Sequence, residues 1–81
     1  MDACVPVALN GTEAWGLIGE AAGGVRIRLS SDDWERANLC LGQRVLIRRP
    51  GRGDDRLFVA DVQEAPPLVW ATFAEQLLVE A

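Results

Sequence analysis

Five arginines lie within thirteen residues near the middle of the chain, and their type and spacing point most directly to chemistry. They are Arg44, Arg48, Arg49, Arg52 and Arg56. Guanidinium groups bind phosphates and carboxylates through paired hydrogen bonds, so the cluster is a candidate anion-binding site. The alternative is structural, because charged side chains protect an exposed hairpin from aggregation and the neighbouring Asp54-Asp55 pair would neutralise part of the charge.

The charge of the whole chain argues against general affinity for nucleic acid. The formal net charge is −4, although all eight basic residues lie between positions 26 and 56 and are arginines. No aromatic residue alternates with the arginines on the exposed side, as a platform for stacking bases would need. We therefore expect no nucleic-acid partner, and we keep anion or nucleic-acid binding through the hairpin 44–56 as an alternative hypothesis.

The residue types that most often carry catalysis are missing. The sequence contains no histidine and no lysine, which removes the commonest general acid–base and amine nucleophiles. Ser30 and Ser31 have no base to activate them, and Asp32 and Asp33 fit the first turn of a helix. The sequence predicts a protein that is not an enzyme, with no catalytic residue, no metal site, no cofactor and no small-molecule substrate.

Two cysteines, Cys4 and Cys40, are too few for a disulfide framework, and neither has a neighbour at metal-ligand spacing. We interpret both as small buried apolar residues, which suits a reducing compartment. The N-terminus lacks the positive region of a signal peptide, and no apolar run approaches the roughly 20 residues that span a bilayer. We expect a cytoplasmic protein without membrane insertion.

Short apolar segments separated by turn residues predict the elements that position these side chains. Asn10-Gly11 is the strongest two-residue signal for a hairpin, and Gly23-Gly24 marks a second turn. Ser30 with Asp33 predicts the start of a short helix that stops near Gly42 and turns Trp34 inward. The expected strands are 5–9, 14–19, 25–29, 43–49 and 56–63. Hairpin turns at this spacing indicate one mainly β domain over 1–81, an antiparallel barrel of five or six strands.

The C-terminal stretch fits two structures. As a helix from Pro67, it would place Trp70, Phe73, Leu77 and Leu78 on one apolar face, and the spacing favours this interpretation. As a strand, residues 68–74 would complete a six-stranded barrel. The apolar stripe would bind a protein partner or a second copy of the chain, or it would cover the open end of its own barrel.

Three tryptophans in 81 residues are a high number for a small core. Trp15, Trp34 and Trp70 are interpreted as core or half-buried anchors. The alternative is that one of them is an exposed anchor for a protein partner, because tryptophan is enriched at binding hot spots.

Four segments of the chain, 7–29, 41–47, 58–62 and 70–73, occur in the same order as in a known protein family. They resemble a PilZ domain, a family that typically binds cyclic di-GMP through Arg-x-x-x-Arg and a downstream Asp-x-Ser-x-x-Gly. If Gly24 matches the last glycine, Gly19 and Ala21 stand at the Asp and Ser positions. Nothing before Val5 supplies the two arginines. The resemblance implies a degenerate member that acts through protein contacts.

Three hypotheses for the function follow. The first is a non-catalytic protein-interaction or adaptor module of PilZ-like barrel type, which docks on a protein partner or self-associates. The second is anion binding by the arginine hairpin. The third is a subunit of a larger secretion or motor assembly, similar to SpoA domains, in which barrel halves from different chains interlock.

We predict that the chain does not bind cyclic di-GMP tightly, because Gly19 and Ala21 carry no polar side chain for the nucleotide. Isothermal titration calorimetry with the full chain checks this. A micromolar or tighter dissociation constant, which corresponds to a binding free energy of about −8 kcal/mol or better, would contradict the prediction. The arginine hairpin would then be the candidate binding site for the nucleotide.

Overall fold

A computed structural model describes residues 4–76, in which apolar side chains on alternate positions of six strands face a common interior. The elements are β1 (Val5–Leu9), β2 (Thr12–Ala21), β3 (Gly24–Ser30), α1 (Ser31–Ala37), β4 (Arg44–Arg48), β5 (Asp54–Ala65) and β6 (Leu68–Ala74). The strands form a closed antiparallel barrel in the order β1-β2-β3-β6-β5-β4. The predicted mainly β class, the barrel and the short mid-chain helix are confirmed.

The core follows the period of two that strands impose on side chains. In β3, Val25, Ile27 and Leu29 are buried, whereas Arg26 and Arg28 lie on the outer face, as the alternation of the sequence predicted. Within residues 4–76 no polar or charged residue is fully buried. The fold is therefore held by apolar burial inside the barrel and by backbone pairing around it.

The first hairpin turn has the predicted Asn-Gly conformation. Asn10 and Gly11 have φ angles of 50° and 84°, and Leu9 pairs with Thr12 across the turn. Asn10 also closes the barrel. Its backbone N–H donates to Leu46 O at 2.9 Å, and its side-chain Oδ1 accepts from Leu46 N at 2.8 Å. These bonds extend the pairing of β1 with β4, which otherwise consists of Ala8 with Arg48 and Leu9 with Ile47.

Helix α1 begins as predicted and ends earlier than expected. Ser30 is the N-cap, and its hydroxyl accepts a hydrogen bond from Asp33 N at 3.1 Å. The helix ends at Ala37 rather than near Gly42, because Asn38 adopts a left-handed conformation with φ 53° and donates its N–H to Glu35 O. Trp34 packs into the core. No helix in the described residues is long and apolar enough to cross a membrane.

Residues 68–74 form a strand, so the helix that their spacing favoured is wrong. β6 pairs with β3 along its whole length and with β5 on its other side, and these ladders outweigh the helical spacing of its apolar residues. Trp70 and Phe73 are three positions apart and therefore point to opposite faces of the sheet. Phe73 is in the core, whereas Trp70 lies on the outer face. Leu77 and Leu78 lie outside the described residues.

The predicted burial of both cysteines is also wrong. Cys4 and Cys40 are exposed. Cys4 lies before β1, and Cys40 lies in the loop between α1 and β4, where its backbone N–H donates to Gln43 Oε1 at 2.9 Å. Both thiols are outside the alternating strand positions that fill the interior.

Gly24 lies where β3 is paired on both sides, with Ala21 of β2 and Ala74 of β6. A Cβ atom at Gly24 would lie 2.8 Å from Ala74 Cα and would overlap Phe73 O. These neighbours are backbone atoms of a paired strand and have little freedom to move. The close approach of β3 and β6 at this end of the barrel therefore requires glycine.

We predict that Gly24→Ala lowers the free energy of unfolding by roughly 3 kcal/mol, because the added methyl group forces β3 and β6 apart. Gly19→Ala is the matched control, since its Cβ would meet nothing closer than 3.8 Å. Urea unfolding followed by circular dichroism measures both variants. Equal stability of the two variants would contradict the close packing at Gly24.

Candidate functional site: the Trp15 groove

A cavity of about 610 Å³ opens between β1, β2, α1 and the connection from β4 to β5. Its walls include Pro6, Trp15, Arg36, Arg48, Arg49 and Arg52, and the buried residues Val7 and Ala14 form its apolar base. We call this cavity the Trp15 groove. Its volume is within the range of roughly 300–1,000 Å³ that is typical of ligand-binding cavities.

Trp15 is the largest exposed apolar side chain in the groove, with 63% of its surface accessible to solvent. Its outward orientation follows from its neighbours in β2. Ala14 and Gly16 point into the interior, and a Cβ at Gly16 would lie only 2.6 Å from Ile27 Cγ2. The interior therefore takes only small residues at this point of β2, and Trp15 lies on the same face as the charged Glu13.

The backbone around Trp15 is fixed from two sides. Trp15 pairs with Pro6 of β1, and its N–H donates to Asp33 Oδ2 of α1 at 3.5 Å. Asp33 also forms an ion pair with Arg36, whose guanidinium donates to Glu13 O at 3.1 Å. The start of α1 is thereby attached to the end of β2 that carries Trp15. Arg36 was not among the predicted site residues, since nothing in its local sequence pattern indicates this contact with β2.

The five arginines of the predicted cluster divide into two groups. Arg48, Arg49 and Arg52 line the Trp15 groove. Arg44 and Arg56 are not among its lining residues, and the guanidinium of Arg44 lies over the Phe58 ring at 5.5 Å from its centroid. The hairpin therefore does not present one surface of five guanidiniums.

The groove arginines pair with the acidic residues that follow them in the chain. Arg48 Nε donates to Asp54 Oδ1 at 2.9 Å, and Arg49 Nη2 donates to Asp55 Oδ2 at 2.5 Å. Arg52 Nε lies 3.8 Å from the same Asp55 oxygen. These ion pairs agree with the structural alternative, in which Asp54 and Asp55 neutralise part of the cluster.

The charged residues among the lining of the groove are nevertheless mostly positive. Four arginines line it together with one acidic residue, Glu13, and the aspartates that pair with the arginines are not among the lining residues. The hydrogen bond from Arg48 lowers the pKa of Asp54 below its ordinary value, against an opposing effect of burial and with a lesser contribution from the positive charge of Arg48. Asp54 is therefore ionised at neutral pH and holds the Arg48 guanidinium in place.

A second cavity of about 490 Å³ shares Arg49 and Arg52 with the groove. It is also lined by Gly19 and Ala21, the positions at which the PilZ resemblance expects polar ligands. Three acidic residues, Glu20, Asp55 and Glu75, complete its lining. The acids outnumber the two arginines, so this cavity is less suited to an anion than the Trp15 groove.

The predicted apolar stripe is not brought together in the described part of the chain. Phe73 is fully buried in the core. Trp70 lies on the outer face, where the guanidiniums of Arg26 and Arg28 cover its ring at 4.4 and 5.8 Å from the centroid. Arg26 is fixed there by a hydrogen bond of 3.0 Å to Gln63 Oε1. Of the three tryptophans, Trp15 is thus the one that exposes its ring, which agrees with the alternative interpretation of an exposed anchor.

No protein-family model, curated protein or solved structure matches the chain. The resemblance to PilZ domains therefore stays a prediction that rests on the four segments quoted above. Among residues 4–76, no three His, Cys, Asp or Glu side chains form a group that could hold a metal ion. A role for the Trp15 groove has to be derived from the side chains that line it.

We predict that the pKa of Asp54 is lower than that of an ordinary exposed aspartate. The Arg48→Gln substitution should raise this pKa towards the ordinary value. Because the pKa is lower in the folded state, the stabilising contribution of the pair is present at neutral pH and is lost as the pH falls through the lowered pKa. Carboxyl-detected NMR over a pH titration measures the midpoint. Arg44→Gln is the control, since Arg44 lies over Phe58. An unchanged Asp54 midpoint in Arg48→Gln would contradict the assignment.

Proposed function

We propose that the chain is a non-catalytic protein-interaction module of PilZ-like barrel type, which binds its partner through the Trp15 groove. The observation that carries this proposal is the Trp15 side chain, 63% exposed beside a cavity lined by four arginines. Tryptophan and arginine are the residue types most enriched at the binding hot spots of protein interfaces. A surface that combines them around a cavity fits a short segment of a partner protein.

The exposed indole supplies most of the binding free energy in this proposal. Covering its exposed part, on the order of 130 Å², contributes about 3 kcal/mol at roughly 25 cal/mol per Å². Pro6, which is exposed, pairs with Trp15 and also lines the groove, gives a partner side chain a second apolar contact. A single apolar residue of the partner, inserted beside Trp15, would use both.

The geometry around Trp15 lowers the entropic cost of binding. Its backbone is paired with Pro6 and is held by the hydrogen bond to Asp33. An indole on a fixed backbone loses little freedom when a partner covers it, because only its side-chain rotations remain to be ordered. The backbone that carries Trp15 is therefore ordered before the partner arrives.

The alternative functions are less well supported by the contacts. An anion alone would leave the exposed Trp15 ring uncovered. The interlocked assembly needs barrel halves from two chains, whereas this barrel closes with strands of one chain. Self-association through the C-terminal stripe would need Phe73 at the surface, and Phe73 is buried.

The absence of histidine and lysine from the sequence supports the non-catalytic part of the proposal. We also propose a cytoplasmic location. Cys4 and Cys40 are both exposed free thiols, and such thiols persist in a reducing compartment.

We predict that peptides selected from a random dodecapeptide display library on the full chain bind at the groove. Trp15→Ala should weaken the selected peptides roughly 30-fold, the effect of losing about 2 kcal/mol at a hot spot. It should change the free energy of unfolding by less than about 1 kcal/mol, since the ring is on the surface. Fluorescence anisotropy with labelled peptides measures the affinity.

Leu41→Ala is the matched control, because Leu41 is 67% exposed and does not line the groove. It should leave the affinity within about twofold. Peptides that bind Trp15→Ala as tightly as the parent would place the interaction elsewhere and would refute the proposed site.

A further inference from the structure

We propose that the Trp15 groove recognises an acidic, extended peptide segment, with one apolar side chain against Trp15 and a carboxylate on Arg48 and Arg52. This inference rests on the proposed function and specifies the chemistry of its partner. A bare anion, a basic peptide and a neutral peptide are the alternatives that the experiment below distinguishes.

The charge of the groove differs from that of the whole chain. The chain has a net charge of −4, yet the lining of the groove has four arginines and one glutamate. With Asp33, Asp54 and Asp55, which pair with these arginines, the charges at the groove balance, so the rest of the chain carries the net charge of −4 and repels an acidic segment while the groove does not. This contrast favours binding in one place over non-specific adhesion.

Arg48 and Arg52 are the arginines that can bind a further carboxylate. Their side chains are 71% and 62% exposed. Within residues 4–76, Arg48 donates from Nε and Nη2 to Asp54, so its Nη1 group has no hydrogen-bond partner there. Arg52 lies 3.8 Å from Asp55 and makes no side-chain hydrogen bond in the same residues. A guanidinium has five N–H donors, so both side chains can donate hydrogen bonds to a second anionic partner.

Arg49 has a different role. Its side chain is only 14% exposed and is bound to Asp55, and it lies between the two cavities because it lines both. It forms a fixed wall of the groove. Asp55 accepts from Arg49 and lies 3.8 Å from Arg52 Nε, so it leaves the Arg52 guanidinium without a direct hydrogen bond.

The two kinds of surface in the groove require a ligand with two kinds of group. Trp15, Pro6 and the base of the groove are apolar, whereas Arg48 and Arg52 are cationic. Inorganic phosphate would satisfy the arginines and leave the indole exposed. In an extended peptide, side chains alternate between two sides, so one segment can direct an acidic residue and an apolar residue to different walls. A cavity of about 610 Å³ admits a few such side chains but not a folded domain.

The first test examines all the dodecapeptides that are selected on the full chain. None of them is chosen beforehand for its sequence. The expected result is an excess of Asp and Glu next to an apolar residue, relative to the unselected library. Raising the salt concentration from about 50 to 300 mM should weaken the selected peptides several-fold, because the exposed ion pairs are screened. Inorganic phosphate at low millimolar concentration should displace them no more than sodium chloride of equal ionic strength.

The second test compares two charge reversals in one hairpin. Arg52→Glu should weaken the acidic peptides about tenfold, the effect of losing a charge-assisted hydrogen bond and gaining a repulsion. Arg56→Glu makes the same change of charge outside the groove and should weaken them less than about twofold, through long-range charge alone. Thermal unfolding of both variants shows whether the barrel is intact, and Arg52→Gln replaces Arg52→Glu if it is not.

The outcomes separate this inference from the proposed function. If the selected peptides depend on Trp15 but show no acidic excess, the proposed function stands and the inference is overturned. The same holds if they bind the Arg52→Glu variant as tightly as the Arg56→Glu variant. Full displacement by low millimolar phosphate would indicate a simple anion site and would overturn it as well. A library that yields no peptide dependent on Trp15 overturns both.

Discussion

The interior of a six-stranded barrel is narrow, and the structure depends on which side chains fit inside it. Large apolar side chains such as those of Ile27 and Phe73 fill the space. The residues that face them from other strands must therefore have a small side chain or, as in glycine, none. Gly16 lies where there is no room for a side chain, because a Cβ there would come within 2.6 Å of Ile27 Cγ2. The same constraint determines the surface, because Trp15, next to Gly16, has no room inside and faces solvent.

The groove beside Trp15 follows from the way in which the barrel closes. β1 and β4 pair only near the first hairpin turn, and their pairing ends at Ala8 and Arg48. Beyond this point lie two prolines, Pro6 in β1 and Pro50 just after β4, which have no N–H to donate. Both prolines line the groove. The Trp15 groove therefore lies at the seam where the barrel is least paired, and its walls bring β1, β2 and the arginine hairpin together.

Local signals in the sequence predicted those elements that depend on local interactions. The Asn10 turn and the Ser30 cap are each determined by a few neighbouring residues, and both were found. The choice of strand over helix for β6 depends on pairing with β3 and β5, which are distant in sequence, so the spacing of its apolar residues was misleading. The exposure of Trp15 had a usable signal, since Glu13 lies on the same strand face. The contribution of Arg36 had none, because it depends on how α1 packs against β2.

The ion pairs of the arginine hairpin stabilise the turn and also prepare the groove. Without Asp54 and Asp55, three guanidiniums close together would repel one another and adopt many rotamers. The aspartates are not among the lining residues of the groove, and Arg48 and Arg52 stay exposed while they pair with them. Neutralisation of the cluster and recognition of an acidic partner are therefore compatible, because each guanidinium has enough donors for both. The cost is a modest affinity, since every contact with the partner competes with an aspartate already in place and with water.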